Sequence, residues 1–191
     1  YKEQIDKLIA EVTDNNVAFD FEIYFSEVFE DKNEVDKGFD IIIANPPYVG
    51  EKGHKEIFRE IKRNALGKFY LRKMDLFYFF FHLALNIGKK SSQIAFITTN
   101  YYLTADGARR LRQDLKERST VKELLNLNEL KIFESALGQH NILTLLTKTN
   151  RINNNAGNKD SIVRTCMTRR VGTATPEILL SIVGWDDTET D

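Results

Sequence analysis

Apolar positions along the chain recur with two periods, and each run predicts an element. Phe19, Phe21, Ile23 and Phe25 alternate with Asp20, Glu22, Tyr24 and Ser26, a period of two that predicts an extended segment. DIIIA, residues 40–44, is apolar at successive positions and predicts a strand covered on both faces inside a parallel sheet. Residues 54–65 predict an amphipathic helix with Ile57, Phe58 and Ile61 on one side, and residues 74–87 a mostly buried helix. QIAFITT, residues 93–99, predicts a second strand. Residues 105–118 predict a helix striped by Leu111 and Leu115. Two further strands are predicted over 121–129 and 141–148, joined by FESALGQH, which is too long for a tight hairpin. A short helix over 1–15, a polar turn over 31–38, an Asn-rich loop over 150–160 and a strand in SIVRTCMT complete the reading.

Strands and helices in this order predict an α/β layered sheet. The glycine-rich turn that such folds place after an early strand is missing, and no glycine precedes Gly38. The expected architecture is therefore the C-terminal half of a doubly wound, Rossmann-like domain, a sheet with flanking helices. Residues 1–150 form that half, and residues 151–191 add a strand and a linker.

Composition narrows the class without naming a function. The 191 residues are 42% hydrophobic and 29% charged, with a net charge of −1. The most apolar stretch, LFYFFFHLAL, is half the length of a membrane-spanning helix, so a buried helix and no membrane association are expected. YKEQIDKLIA lacks the halves of a signal peptide, and a start at Tyr1 suggests a piece of a longer polypeptide. The single Cys166 provides neither a disulfide nor a cysteine metal cluster, which fits a cytoplasmic setting. His54, His82 and His140 are scattered without metal-ligand spacing, so no metal is expected; His82 reads as a satisfied core histidine. Charge is unevenly placed. Residues 1–40 hold twelve acids against four lysines, whereas residues 51–73 hold eight Lys or Arg against three Glu. Lys52, Lys55, Arg59 and Lys62 in that basic stretch are candidate DNA-phosphate contacts; a solvated helix face is the alternative.

The chemistry concentrates in DIIIANPPYVG, where two of the chain's three prolines stand side by side. Tandem prolines end sheet pairing and stiffen the exit from the strand, pushing Asn45 and Pro46 into extended conformations. The result is a rigid platform at the carboxyl end of a strand, where open α/β sheets bind ligands. The Asn45 side-chain oxygen and the Pro46 carbonyl are two acceptors at close range, suited to an –NH2 group. Holding both N–H bonds of an adenine amine favours a pyramidal nitrogen whose lone pair leaves the ring plane, an oxyanion-hole logic with reversed polarity. Tyr48 is placed to stack on the base. Asn45, Pro46, Pro47 and Tyr48 are the expected catalytic residues.

The motif resembles that of the S-adenosylmethionine-dependent amino-methyltransferases, and most closely the N6-adenine DNA methyltransferases of bacterial type IIG and IIS restriction–modification enzymes. FDFEIYFSEVFE resembles the stretch that precedes the family's catalytic motif, and GFDIIIANPPYVG resembles the motif itself. KMDLFYFFFHLAL resembles its helix beside the cofactor, which implies that Phe80 stacks on the cofactor adenine and that Asn45 also borders the cofactor. QIAFITTNYYL resembles the next family strand, and KIFESALGQHNILTLLTK the last methylase motif, which implies that Phe133 packs on a flipped base opposite Tyr48. The resemblance implies double-stranded DNA as partner and extrusion of the target base.

Family features expected before the catalytic strand and after residue 190 have no counterpart here. These are the glycine-rich cofactor motif with its acidic residues, and the target-recognition domain. The S-adenosylmethionine site is therefore expected to be incomplete and the piece alone inactive. Alternatives are a methyltransferase of another planar amine, in a release-factor glutamine or ribosomal RNA, or a non-catalytic DNA-binding or assembly half of a methylase.

Overall fold

The computed structural model describes residues 19–30, 37–133, 140–149 and 162–184, together with residues 3, 4, 7 and 33. The expectations for the helix over 1–15, the polar turn over 31–38, the loop over 150–160 and the tail after Trp185 fall wholly or largely outside the described residues.

A five-stranded sheet in the order β1-β2-β5-β3-β6 organises the chain. It comprises β1 (Phe39–Ala44), β2 (Gly88–Thr99), β3 (Ser119–Asn128), β5 (Asn141–Lys148) and β6 (Arg164–Met167). β1 runs parallel to β2 and β6 parallel to β3, while β5 is antiparallel to both of its neighbours. The sheet is thus mixed, and the predicted strand in SIVRTCMT extends it. β4 (Leu130–Lys131) and β7 (Gly172–Thr173) form a separate two-stranded pair.

Helices α4 (Phe77–Ile87) and α5 (Arg109–Arg118) pack on the sheet, α3 (Lys55–Arg63) sets Phe58 edge-on against Phe79 of α4, and α6 (Pro176–Gly184) follows β7. α4 supplies the largest share of the core among the described residues: its Phe77, Phe79 and Phe81 are buried in one apolar cluster with Ile94 and Phe96 of β2 and Leu111 and Leu115 of α5. Each such phenylalanine contributes roughly 2–3 kcal/mol by leaving water. On α3 the predicted apolar side is narrower than expected. Phe58 is buried and Ile61 half-buried, but Ile57 is exposed.

Two strand expectations change. Residues 21–29 are two short helical turns, α1 (Phe21–Tyr24) and α2 (Ser26–Phe29), rather than an extended segment. Phe21 and Phe25 of the alternating run, with Phe29 just beyond it, also stand at intervals of four. Those three rings gather around Phe39 at centroid distances of 5.4–6.1 Å, and that contact selects the helical spacing. β1, predicted inside the sheet, lies at its edge, and Ile41 and Ile43 are 64% and 77% exposed.

His82 is fully buried on α4 and stacks flat on Phe69, centroids 3.7 Å apart. Its Nδ1 lies 2.5 Å from Asp114 Oδ2, and Arg118 donates to both oxygens of the same carboxylate. Nε2 has no hydrogen-bond partner among the described residues, which satisfy the histidine on one side only.

Candidate active site

β1 delivers the motif: the strand ends at Ala44, in register with Phe96 of β2, and Asn45 follows. Pro46 is buried and Tyr48 half-buried, while Asn45 and Pro47 are exposed. Lacking N–H groups, the prolines cannot continue the ladder, so the chain leaves the sheet here.

The Tyr48 phenol turns back onto the motif. Its oxygen is 2.8 Å from Asn45 Oδ1 and 3.1 Å from the Ile97 carbonyl, so its one proton serves two acceptors. The ring sits edge-on to Phe77 at 6.0 Å. Burial pushes the phenol pKa up, which keeps it a neutral donor. A donor at this point holds the oxygen of the Asn45 carboxamide, rather than its NH2, toward Tyr48. The Pro46 carbonyl accepts no hydrogen bond among the described residues.

Beyond the motif the chain runs alongside the entrance to α4. Leu76 N–H donates to the Val49 carbonyl and Glu51 N–H to the Met74 carbonyl, each at 2.8 Å, and Gly50 and Asp75 form an antiparallel bridge. The Glu51 carboxylate accepts from the Tyr70 hydroxyl and, at 2.7 Å, from Lys73 N–H. Burial pushes this carboxyl up, but the hydrogen bonds and the nearby Lys62 more than reverse it, leaving it below its ordinary value. Burial raises the half-buried Asp75 carboxyl, and burial with the Asp75 charge drives the Tyr78 phenol up to about 12. Sequence reasoning missed Glu51, which counted only as an acid in a basic stretch. Its place three residues after Tyr48 was the one available signal.

The helix carrying Phe80 is therefore joined to the motif by backbone pairing. In the aromatic run of α4, Phe77, Tyr78, Phe79 and Phe81 are buried, and Phe80 is half-buried. Phe133 is half-buried two residues beyond β4 and makes no ring contact with Tyr48 among the described residues. Lys52, Lys55, Arg59 and Lys62 are all exposed, and the Lys62 ammonium lies 3.9 Å from the centroid of the Tyr70 ring. Among the described residues no His, Cys, Asp or Glu group forms a metal cluster, and no helix is long and apolar enough to cross a membrane.

Residues 1–133 match the Eco57I restriction-modification methylase family over more than two thirds of the chain. The chain belongs to this family. Its relatives include the type II methyltransferase M.HincII of Haemophilus influenzae, 30% identical over 125 residues, which cover 64% of this chain and 25% of that protein. The type II methyltransferase M.BanIII of Aneurinibacillus aneurinilyticus is 30% identical over 114 residues, 59% of this chain and 19% of its own. The Eco57I-family chain thus spans about a quarter or less of the length of these curated relatives.

Among solved structures, a modification subunit described as part of a type I restriction enzyme from Vibrio vulnificus YJ016 superposes with a TM-score of 0.51 at 16% identity. It matches 87% of this chain and 35% of that one. The DrdV–DNA complex gives a TM-score of 0.51 at 16% identity, over 80% of this chain and 17% of that one. These likenesses show the fold: the sheet and its helices are part of a Rossmann-like, mixed α/β domain.

Proposed function

We propose that this chain is the catalytic-motif segment of an adenine-specific DNA N6-methyltransferase in a restriction–modification system. The observation that carries the reading is the exit from β1. There Asn45 Oδ1, held by Tyr48, and the Pro46 carbonyl supply two oxygen acceptors on a rigid strand end. Two acceptors fit the two N–H bonds of an exocyclic amine and favour a lone pair directed out of the ring plane. Neither acceptor titrates, so the site needs no catalytic histidine or carboxylate. Tyr48 and Phe133 are the proposed partners for the flipped base, each aromatic face offsetting roughly 1–3 kcal/mol of the extrusion cost. A second aromatic segment at Phe133 favours a base over the amide of a protein glutamine.

S-adenosylmethionine fits the residues present in part. The half-buried ring of Phe80 and the Asn45 side chain would border it, and when bound it supplies a methyl group on a sulfonium. Glycines that would cradle its remainder are not found before Gly38. The exposed Ile41 and Ile43 on an edge strand, and the small share of its relatives that the chain spans, support a further segment pairing with β1. We place the cofactor's glycine-rich turn on that segment and target recognition on another, in a polypeptide that acts on double-stranded DNA in the cytoplasm. Lys52, Lys55, Arg59 and Lys62 are proposed to meet phosphate.

The test is Asn45→Ala in the full-length polypeptide. Methyl transfer should fall about 100- to 1000-fold with DNA binding retained. Mass spectrometry of the wild-type product should show N6-methyladenine; methyl groups found only on cytosine or on protein glutamine would overturn the adenine assignment.

A further inference from the structure

We propose that Glu51 is a positioning residue that holds the base-binding motif and the cofactor-side helix in fixed relation. The inference rests on the functional reading above and deepens it. Asn45 to Tyr48 are anchored on one side by β1, which pairs with β2. On the other side the Tyr48 hydroxyl still reaches the Ile97 carbonyl of β2, but the backbone has left the sheet and is held by the strap of Val49, Gly50 and Glu51 against Met74, Asp75 and Leu76. That second stretch leads directly into α4, which carries Phe80. Whatever tightens the strap therefore sets the distance between the amine acceptors and the cofactor wall.

The Glu51 carboxylate does so with both oxygens, one on the Tyr70 hydroxyl and one on Lys73 N–H. Lys73 has φ 60°, a left-handed conformation that a side-chain-bearing residue keeps only when its surroundings enforce it. Two neighbours enforce it here. Glu51 draws in its N–H, and Gly107 lies against its carbonyl, where a Cβ would come within 2.2 Å of that oxygen. Tyr70 is itself held: the Arg110 guanidinium donates to its carbonyl at 3.0 Å and the Lys62 ammonium lies over its ring. The brace thus ties the motif to the 65–76 segment through groups that touch neither the base nor the methyl donor. Methyl transfer needs donor and acceptor aligned to a fraction of an ångström, and misplacement by about 1 Å costs on the order of a hundredfold in rate.

The experiment is steady-state and single-turnover methylation by the full-length polypeptide carrying Glu51→Ala, Glu51→Gln, Tyr70→Phe or Glu51→Ala combined with Lys73→Gly. Glu51→Ala should lower kcat by about a hundredfold while KM for DNA and for S-adenosylmethionine stays within about twofold. Glu51→Gln can accept from Lys73 N–H and donate to the Tyr70 oxygen, and should restore turnover to within about threefold of wild type. Lys73→Gly removes the steric cost of the left-handed turn and should recover part of the loss in the double variant. Tyr70→Phe, which deletes one donor and keeps the ring, should lower kcat with KM unchanged. Unchanged kcat in Glu51→Ala and Tyr70→Phe, even with a lowered melting temperature, would overturn the positioning role. So would a rise in KM for DNA at unchanged kcat. If the wild type transfers methyl groups to DNA and the variants behave so, only this inference fails; a wild type that transfers none overturns the functional reading and this inference with it.

Discussion

The Tyr48 hydroxyl lies 2.8 Å from Asn45 Oδ1, so the two ends of the four-residue motif are joined by a hydrogen bond across the tandem prolines. A carboxamide presents an oxygen or an NH2 group depending on a half-turn of its last torsion. An amine substrate needs the oxygen, and the phenol supplies the donor that selects it. Tyr48→Phe keeps the ring and removes that donor. Single-turnover methylation by the full-length polypeptide should slow about tenfold, the cost of one orienting hydrogen bond. Base extrusion, read from 2-aminopurine fluorescence, should be unchanged. Tyr48→Ala should impair both.

Ile41 and Ile43 give a test of what covers β1. In this chain by itself both are exposed, and Lys at either position should change stability by less than about 0.5 kcal/mol. In the full-length polypeptide the same substitutions should cost about 3 kcal/mol or more, because a buried ammonium without a partner is strongly disfavoured. Urea denaturation of both forms separates the outcomes; equal small effects would mean that nothing covers the strand.

The His82–Asp114–Arg118 cluster predicts acid sensitivity. Burial foremost holds the His82 pKa below its ordinary value, against the pull of Asp114. Unfolded His82 takes up a proton below about pH 6.5 and folded His82 resists it, so stability falls as pH drops through that value. Burial raises the Asp114 carboxyl, but hydrogen bonds from His82 and Arg118 more than compensate, so its folded pKa is lowered. Its contribution is present above the unfolded value near pH 4 and is lost as pH falls through the folded one. Thermal melts should decline from about pH 7 to pH 5, and His82→Phe should flatten that slope. Asp114→Ala strands a buried histidine and an arginine, and should cost about 3 kcal/mol.

Gly107→Ala tests the close approach of two backbones. A Cβ there would lie 2.2 Å from the Lys73 carbonyl oxygen, and backbone cannot swing aside as a flexible side chain does. A loss of about 1–3 kcal/mol is expected from overpacking, measured as a lowered urea midpoint. Unchanged stability would mean that the 72–73 turn shifts freely.

Much of the fold was legible in the pattern of residues. The apolar run before Asn45, the QIAFITT strand and the Leu111–Leu115 stripe appear where the periods place them, because burial on one or both faces leaves a mark on consecutive positions. The aromatic alternation over 19–25 misled, because its rings satisfy a period of two and a period of four together. Only the contact with Phe39 chooses between them.

For the candidate site, the sequence by itself determined which groups are on offer. Asn-Pro-Pro-Tyr after a strand specifies acceptors, rigidity and a ring through covalent structure alone. Tertiary structure decided the arrangement: that the phenol turns onto Asn45, that Phe80 is the half-open ring among buried neighbours, and that the Glu51 carboxylate accepts from a left-handed Lys73 across twenty-one residues of intervening chain. Backbone stiffness is local and can be read residue by residue. Hydrogen bonds between segments distant in sequence depend on how helices settle on the sheet, which no local pattern records.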